Sequence, residues 1–443
     1  MEEQTEQEIN SGRTARLVAK VLGPKPVEFT AAMWSFTYFF CILGSYYMLR
    51  PVREAMAVAS GPETIPYLFV GTFVTMLVAT PLFGWVASRY PRKQFLPWVY
   101  YFFTINILIF WALFAYAVDR ELNYVWLGRL FFVWLSVFNL YVVSVFWSFM
   151  ADIYTRGQGR RLFGMISAGG SIGAIIGGIA TSMLVENIGF QNLFPFSAGL
   201  LLIGVFCITQ LTNWVKRQDQ EPRSETITST KPLGGSPFAG ITHVFQSKYF
   251  IAIAIGSVIA SLLGTALYMF AADLVQDAIV SADERTRFFS DINIATNVLA
   301  MFGQLMIVKQ VVSRFGIGIS LSLLPAVSIV GFALLALEPT LAVVAILTVL
   351  RRALGFGLSK PTSDMLYSVV TPEQKYKAKN FIETILYRTG DVIGTWTVRF
   401  MVAAVGLSGT SMIMVPFACI WGGIALWLGW EYKRRDTIGK ASA

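Results

Sequence analysis

The chain alternates long apolar runs with short polar breaks, and the runs share a common length. They lie near residues 29–49, 64–88, 95–118, 123–149, 162–186, 192–214, 249–276, 288–308, 317–337, 340–359, 380–402 and 410–430. Each is close to the roughly 20 residues an α-helix needs to cross a hydrocarbon core. Inside lipid every backbone N–H and C=O must be satisfied by the protein itself, which leaves helices and closed barrels as spanning structures. The alternation expected of barrel strands is absent. The expected fold class is therefore an all-α polytopic membrane protein with twelve transmembrane helices. Composition agrees: of 443 residues 55% are hydrophobic and 14% charged, where a soluble domain carries about 25% charged residues.

The net charge of +9 has a topological reading. With the N-terminus placed in the cytoplasm, most of the 35 lysines and arginines fall in cytoplasmic breaks, and Arg50, Arg53, Arg120, Arg285 and Arg287 lie near the outer side. This is the positive-inside distribution, and it puts both termini in the cytoplasm. Basic residues scattered over loops, rather than gathered on one module, argue against a nucleic-acid partner. The longest polar break holds Pro222, Pro232, Gly234, Gly235 and Pro237 among serines and threonines, the composition of a linker. It divides the chain into a cytoplasmic segment 1–28, a six-helix half 29–215, the linker 216–248, a second six-helix half 249–431 and a tail 432–443. Cys41, Cys207 and Cys419 lie in apolar runs, which argues against a disulfide framework. Residues 1–28 are polar and lack the apolar core of a signal peptide. His243 has no second ligand candidate near it, so no metal is expected.

Seven arginines break the apolar pattern inside or at the edges of these runs: Arg50, Arg53, Arg129, Arg351, Arg352, Arg388 and Arg399. A charge at bilayer depth costs roughly 2.5 kcal/mol or more, so these must be used or hidden. In Leu49-Arg50-Pro51-Val52-Arg53-Glu54 the charged positions are i, i+3 and i+4 and share one helix face, which Tyr46 extends by a turn. Such a lining suits an anionic solute in transit. The alternative is a structural ion pair at a helix end, snorkelling to the headgroups. Pro51, expected to weaken the helix there, and the preceding tyrosines favour the first reading. Arg351 and Arg352 are about 100° apart on a helix and cannot both face one cavity; Arg352 is preferred. Arg388 and Asp391, at i and i+3, form either an intrahelical pair or, with Glu383, a gate or proton-coupling site. Asp273, Asp277 and Asp291 are expected to pair with Arg285 and Arg287. Gly169, Gly173 and Gly177 recur every four residues, a small-residue face for close helix packing.

Two six-helix halves with a cytoplasmic linker resemble the major facilitator arrangement. Gly84-Trp85-Val86-Ala87-Ser88-Arg89-Tyr90-Pro91-Arg92-Lys93 is similar to that superfamily's loop between its second and third helices, with Ser88 in place of the acid and Pro91 in place of a glycine. The resemblance implies a cytoplasmic latch through Arg89 and Arg92, and a cavity lined by spans one, four, seven and ten. Those spans carry Arg50, Arg53, Arg129, Arg351 and Arg352, with Tyr268 and Asp273 on the seventh. A weak internal repeat supports duplication: Thr155-Arg156-Gly157-Gln158 and Thr371-Pro372-Glu373-Gln374 each follow a fourth span and precede basic residues.

Within that superfamily, Leu49 to Glu54 resembles the L-R-x-x-K-D segment of the non-mitochondrial ATP/ADP antiporter family. Lys379-Asn380-Phe381-Ile382-Glu383, running on to Gly390 and Gly394, resembles its late K-x-x-x-D segment. The resemblance implies a nucleotide-like solute, and is nearest to the free-living bacterial branch. Asp391 departs from it, reversing the charge of a lysine the family usually carries just after the late glycine. No Walker loop, metal cluster or nucleophile with a base appears, so the chain is not read as an enzyme and no cofactor is expected. The reading is a secondary transporter for a small anionic substrate, with ATP or ADP as candidates. Tyr46, Arg50, Arg53, Arg129, Tyr268, Arg352 and Arg388 would bind; Glu54, Asp273, Glu383, Asp391, Arg89 and Arg92 would couple or gate. The alternatives are proton-coupled transport of another organic anion, lipid-like or a cell-wall fragment, and a non-transporting membrane scaffold. A monomer is expected, in the inner membrane if the host is bacterial.

Overall fold

A computed structural model describes residues 26–89, 92–218, 247–370, 378–379 and 381–441. Among these, all regular structure is helical. The helices are α1 (Pro26–Ala59), α2 (Ile65–Arg89), α3 (Arg92–Asp119), α4 (Val125–Ile153), α5 (Arg156–Ile188), α6 (Leu193–Gln218), α7 (Lys248–Ala278), α8 (Ala282–Phe302), α9 (Val308–Leu337), α10 (Leu341–Leu354), the short α11 (Lys360–Met365) and α12 (Tyr387–Ala441). Single π-helical turns, Gly303–Ile307 and Gly355–Ser359, connect α8 to α9 and α10 to α11, and a third, Phe381–Leu386, leads directly into α12.

Nine segments of the described residues are long and apolar enough to cross a membrane, against twelve expected. The difference falls at three places. α1 carries Trp34 with several tyrosines, serines and threonines through its apolar run, which lowers its hydropathy, and α8 carries several charges in its first turns. The last segment, Phe381–Thr437, registers as one run, although the backbone breaks at Gly406, where φ is 71°. α9 breaks in the same manner at Gly316, with φ of 77°. Positive φ strains any residue with a Cβ, so glycine lets one helix turn directly into the next.

Pro51 does not weaken α1. The helix continues through it to Ala59, and Val52, Ala55, Met56, Ala57 and Val58 are buried. Proline is tolerated at membrane depth where neighbouring helices cover the freed carbonyl. Arg50, Arg53 and Glu54 therefore sit within a helix rather than at its end.

By internal packing the chain forms two compact units. The first comprises Met1–Ala55, Thr75–Thr226 and Ala282–Asp291; the second comprises Met56–Val74, Ile227–Ser281 and Ile292–Ala443. The expected linker lies mostly outside the described residues, as do His243 and Thr371 to Gln374.

In the first unit, α1 and α5 pack backbone to backbone. A Cβ added at Gly169, Gly173 or Gly177 would lie 2.5, 2.2 or 2.4 Å from the carbonyl oxygens of Phe36, Phe40 and Gly44. The Thr181 hydroxyl continues the row by donating to the Met48 carbonyl at 3.1 Å. The expected small-residue packing is thus present, and it runs four turns in register. α5 begins with a capping box: Thr155 accepts from the Gln158 N–H, and the Gln158 side chain returns to Thr155. Gln158 and Arg161 both reach the buried Glu28 at the start of α1. Away from α5, α1 buries Tyr38 among Tyr100, Phe146 and Phe149, and Ser45 meets Ser197 of α6 at 2.7 Å.

In the second unit, Tyr249, Phe250, Ile253, Ile317, Leu321, Tyr367, Ile382, Ala425 and Leu428 form a buried cluster joining α7, α9 and α12. A Cβ on Gly429 would lie 2.2 Å from the Gly318 Cα, so these two helices also meet at backbone distance.

Candidate functional site

The first unit holds a cationic-aromatic cluster on the face of α1 roughly opposite the glycine row. At about 100° per residue, Tyr46, Arg50 and Arg53 lie some 140–200° around the helix from Met48. The Arg50 guanidinium is 6.0 Å from the Tyr46 ring centre and 5.3 Å from that of Tyr47, and the two rings meet edge to face. Arg50 Nη1 donates to the Tyr47 hydroxyl at 3.3 Å. Its Nε is 4.0 Å from Glu54 Oε1 and has no hydrogen-bond partner. Arg53 pairs with the same Glu54 oxygen at 2.5 Å, donates to Ser136 Oγ at 3.1 Å and lies 4.8 Å from the Phe132 ring centre. The side chains of Arg50, Arg53 and Glu54 are 16, 15 and 8% exposed.

Arg129 lies 4.5 Å from the Trp126 ring centre. With Phe132 and Ser136 it occupies positions i, i+3 and i+7 of α4, one face of that helix. Cations over ring faces are held without consuming their in-plane N–H donors. Arg50, whose strongest neighbours are rings, therefore keeps donors for a phosphate or carboxylate, which guanidinium binds bidentately.

In the second unit the adjacent arginines diverge, as their 100° offset requires. Arg351 donates to the Ala260 carbonyl of α7 at 2.6 Å and to Ser328 Oγ of α9 at 3.2 Å, near the Trp421 ring. Gly264 leaves room for it, since a Cβ there would lie 2.9 Å from Nη1. Arg352 donates to Asn293 Oδ1 of α8 at 3.0 Å. Tyr268 meets Phe69 edge to face at 5.5 Å. Glu383 accepts from Lys360 at 2.6 Å; Lys360 also reaches Asp364 at 3.3 Å, and Asp364 pairs with Lys379 at 2.8 Å. Asp391 accepts from Ser261 Oγ at 2.6 Å and is 3.8 Å from Arg388.

Of the acids expected to meet Arg285 and Arg287, Asp291 acts electrostatically on Arg287, but its hydrogen bond, like the ion pair of Asp273, goes elsewhere. Asp273 pairs with Arg399 at 3.5 Å, one turn of α7 facing α12. Asp291 accepts from Ser182 at 2.5 Å, and Arg287 pairs with Glu186 at 2.5 Å. Both of these contacts join α8 to α5, so helix neighbours rather than proximity in sequence decide the pairing. The side chains of Arg89 and Arg92 lie outside the described residues. Tyr47, Phe132, Ser136, Ser261 and Asn293 contact the expected site residues but were not read from the sequence. A serine or phenylalanine in an apolar run carries no signal of its own; only the i, i+3, i+7 spacing from Arg129 marked two of them.

Over residues 35–378 the chain matches the Major Facilitator Superfamily. It is 22% identical to ADP,ATP carrier protein 1, chloroplastic, of Arabidopsis thaliana, covering 86% of this chain and 71% of the carrier. It is 21% identical to ADP,ATP carrier protein 2 of Chlamydia pneumoniae, covering 94% and 91%. Among solved structures, the nucleoside transporter NupG superposes with a TM-score of 0.54 at 18% identity, covering 93% of this chain and 99% of that one. A bacterial homologue of the iron transporter ferroportin, inward-facing, gives 0.61 at 12% identity, covering 91% and 98%. These structural likenesses speak to the fold alone. Helical architecture, embedded charge and these matches converge: the chain is a multi-pass membrane transporter of the major facilitator superfamily, similar over most of its length to ADP/ATP carriers.

Proposed function

We propose that the chain is a secondary transporter that moves an anionic, nucleotide-like solute by alternating access. The observation that carries this is Arg50, a largely buried guanidinium held by two tyrosine rings and only 4.0 Å from the carboxylate it shares with Arg53. An incoming phosphate would compete with Glu54 for both arginines, exchanging one ion pair for another at little net desolvation cost. Tyr46 and Tyr47 offer ring faces beside the anion. The ADP/ATP carriers to which the chain is similar support a nucleotide as the solute. In exchange, the emptied site would leave Arg50 and Arg53 underneutralised and disfavour reorientation without cargo. Arg129, Tyr268, Arg352 and Arg388 are further binding candidates. Glu54, Asp273, Glu383, Asp391, Arg89 and Arg92 are candidates for coupling or gating. A monomer in a bacterial inner membrane, with both termini cytoplasmic, completes the reading.

The test is thermal stabilisation of the detergent-purified protein across ATP, ADP, other nucleotides and a panel of organic anions, with wild type beside Arg50→Ala. A ligand that binds the native state raises its apparent stability by mass action. The expected result is a rise in Tm with a nucleotide that Arg50→Ala abolishes, followed by exchange of labelled nucleotide in proteoliposomes. A shift with another organic anion, and none with any nucleotide, would favour the second reading, in which the same fold carries a different anion. Asp391, an acid where the resembling family carries a lysine, is the observation behind that reading.

A further inference from the structure

Asp391 is an acid that the anion site does not use, and its surroundings are unusual for a carboxylate within a membrane span. Its side chain is 14% exposed. α12 meets α7 closely here: a Cβ on Gly390 would lie 3.0 Å from Ser261 Oγ, and one on Gly394 would lie 3.5 Å from the Thr265 side chain. The carboxylate is thus set into a tight helix crossing. Its one close partner is neutral, Ser261 Oγ at 2.6 Å. Arg388 lies at 3.8 Å on the same helix, beyond hydrogen-bond distance. Arg351 of α10, which like Asp391 acts on Tyr387, directs its donors at the Ala260 carbonyl and Ser328. Among the described residues, the ionisable groups about Asp391 are Arg388 and Tyr387 on its own helix, with Arg351 of α10 acting on Tyr387, while α7 faces it with the Ser261 hydroxyl.

Ser261 has a second acceptor within reach, the main-chain carbonyl of Tyr387 at 3.3 Å. A hydroxyl can donate once and accept as well. With Asp391 ionised, Ser261 donates to Oδ1. With a proton on Oδ1, the acid donates to Ser261 Oγ and the serine hydrogen turns to the Tyr387 carbonyl. The Oδ1–Ser261 contact is then hydrogen-bonded in both protonation states with no movement of heavy atoms. A purely structural acid needs one such state. A group that gains and loses a proton at low dielectric needs two, because an unsatisfied polar atom there carries a large penalty.

We propose that Asp391, with Ser261 as its hydroxyl relay, is a proton-binding site of this transporter, taking one proton onto Oδ1 and releasing it during the transport cycle. The proposal rests on the chain being a transporter and not on the solute being a nucleotide. Because Asp391 and Ser261 link α12 to α7, the proton would also change the bond joining those two helices from charge-assisted to neutral.

The first experiment needs no substrate. Infrared difference spectra of the full-length protein in lipid, recorded across a pH titration, are compared for wild type, Asp391→Asn and Ser261→Ala. The expected result is a titrating carboxylic-acid C=O band that Asp391→Asn removes and Ser261→Ala moves in frequency while leaving it present. A wild-type titration that Asp391→Asn leaves unchanged overturns the proposal. The second experiment loads proteoliposomes with a pH-sensitive dye and supplies ATP or each organic anion of the panel outside. Proton movement with one of them in wild type, lost in Asp391→Asn while exchange of that solute persists, supports the coupling role. Proton movement that persists in Asp391→Asn overturns it. Infrared assignment together with no response to any nucleotide would sink the nucleotide reading and leave the proton site standing.

Discussion

Two pairs of embedded arginines are held in opposite ways. In the first unit, Arg50 and Arg53 are one turn apart on α1 and share the side-chain carboxylate of Glu54, with aromatic faces around them. In the second, Arg351 is fixed by the backbone of α7 and a serine of α9, and it helps to hold those helices together. α1 owes its position to the glycine row on its other face, so its arginines need not act as struts. α10 has no such row described against α7, and Arg351 takes that role. Arg351, which donates to a main-chain carbonyl, braces helices against each other, whereas Arg50 is held by rings and a shared acid.

The comparison can be broken by mutation. The largest effect is expected at Arg351→Ala, which leaves the half-buried Ala260 carbonyl without its charged donor and opens a void beside Gly264. A loss on the order of 3 kcal/mol follows from the cost of removing a buried charged partner, read as a fall in Tm without ligand. A Tm within a degree or so of wild type would make Arg351 a binding residue after all. Gly173→Ala comes next: its Cβ would lie 2.2 Å from the Phe40 carbonyl, and overpacking of this kind costs about 1–3 kcal/mol. The sharper readout is anion-induced stabilisation, which should weaken as α1 shifts although no binding residue has changed.

Arg50→Lys should leave the unliganded Tm nearly unchanged and weaken anion binding by about tenfold, since an ammonium lacks the planar fork that matches a phosphate. A large loss of stability with unaltered binding would move Arg50 into the scaffold class beside Arg351. The smallest effect is expected at Arg388→Ala. The pair with Asp391 is long and half exposed, and such pairs contribute under about 1 kcal/mol. A fall in Tm as large as that of Arg351→Ala would show Arg388 to be a scaffold arginine too.

Much of the fold was legible in the sequence because hydropathy and charge placement are one-dimensional quantities in a membrane. Apolar runs of helical length and the glycine period of four each act through local geometry. The site was only half legible. Arg50, Arg53 and Glu54 announced themselves by helical spacing within one apolar run, and the structure keeps them together. The partners that define their roles did not, because Phe132 and Ser136 are ordinary residues of a span until another helix is laid against them. The same limit explains Arg287, whose close ion pair is with Glu186 of another helix while Asp291 acts on it from one turn away, and Pro51, expected to weaken a helix that runs on to Ala59.

The sequence by itself determined that this chain crosses a membrane many times and which helix faces carry buried charge. Both follow from the cost of placing polar groups in hydrocarbon, which each residue bears wherever its neighbours are. Only the tertiary structure decided which neighbours hold each arginine. That depends on the hydrogen-bond acceptors brought by other helices: a carbonyl and a serine for Arg351, rings and a shared carboxylate for Arg50.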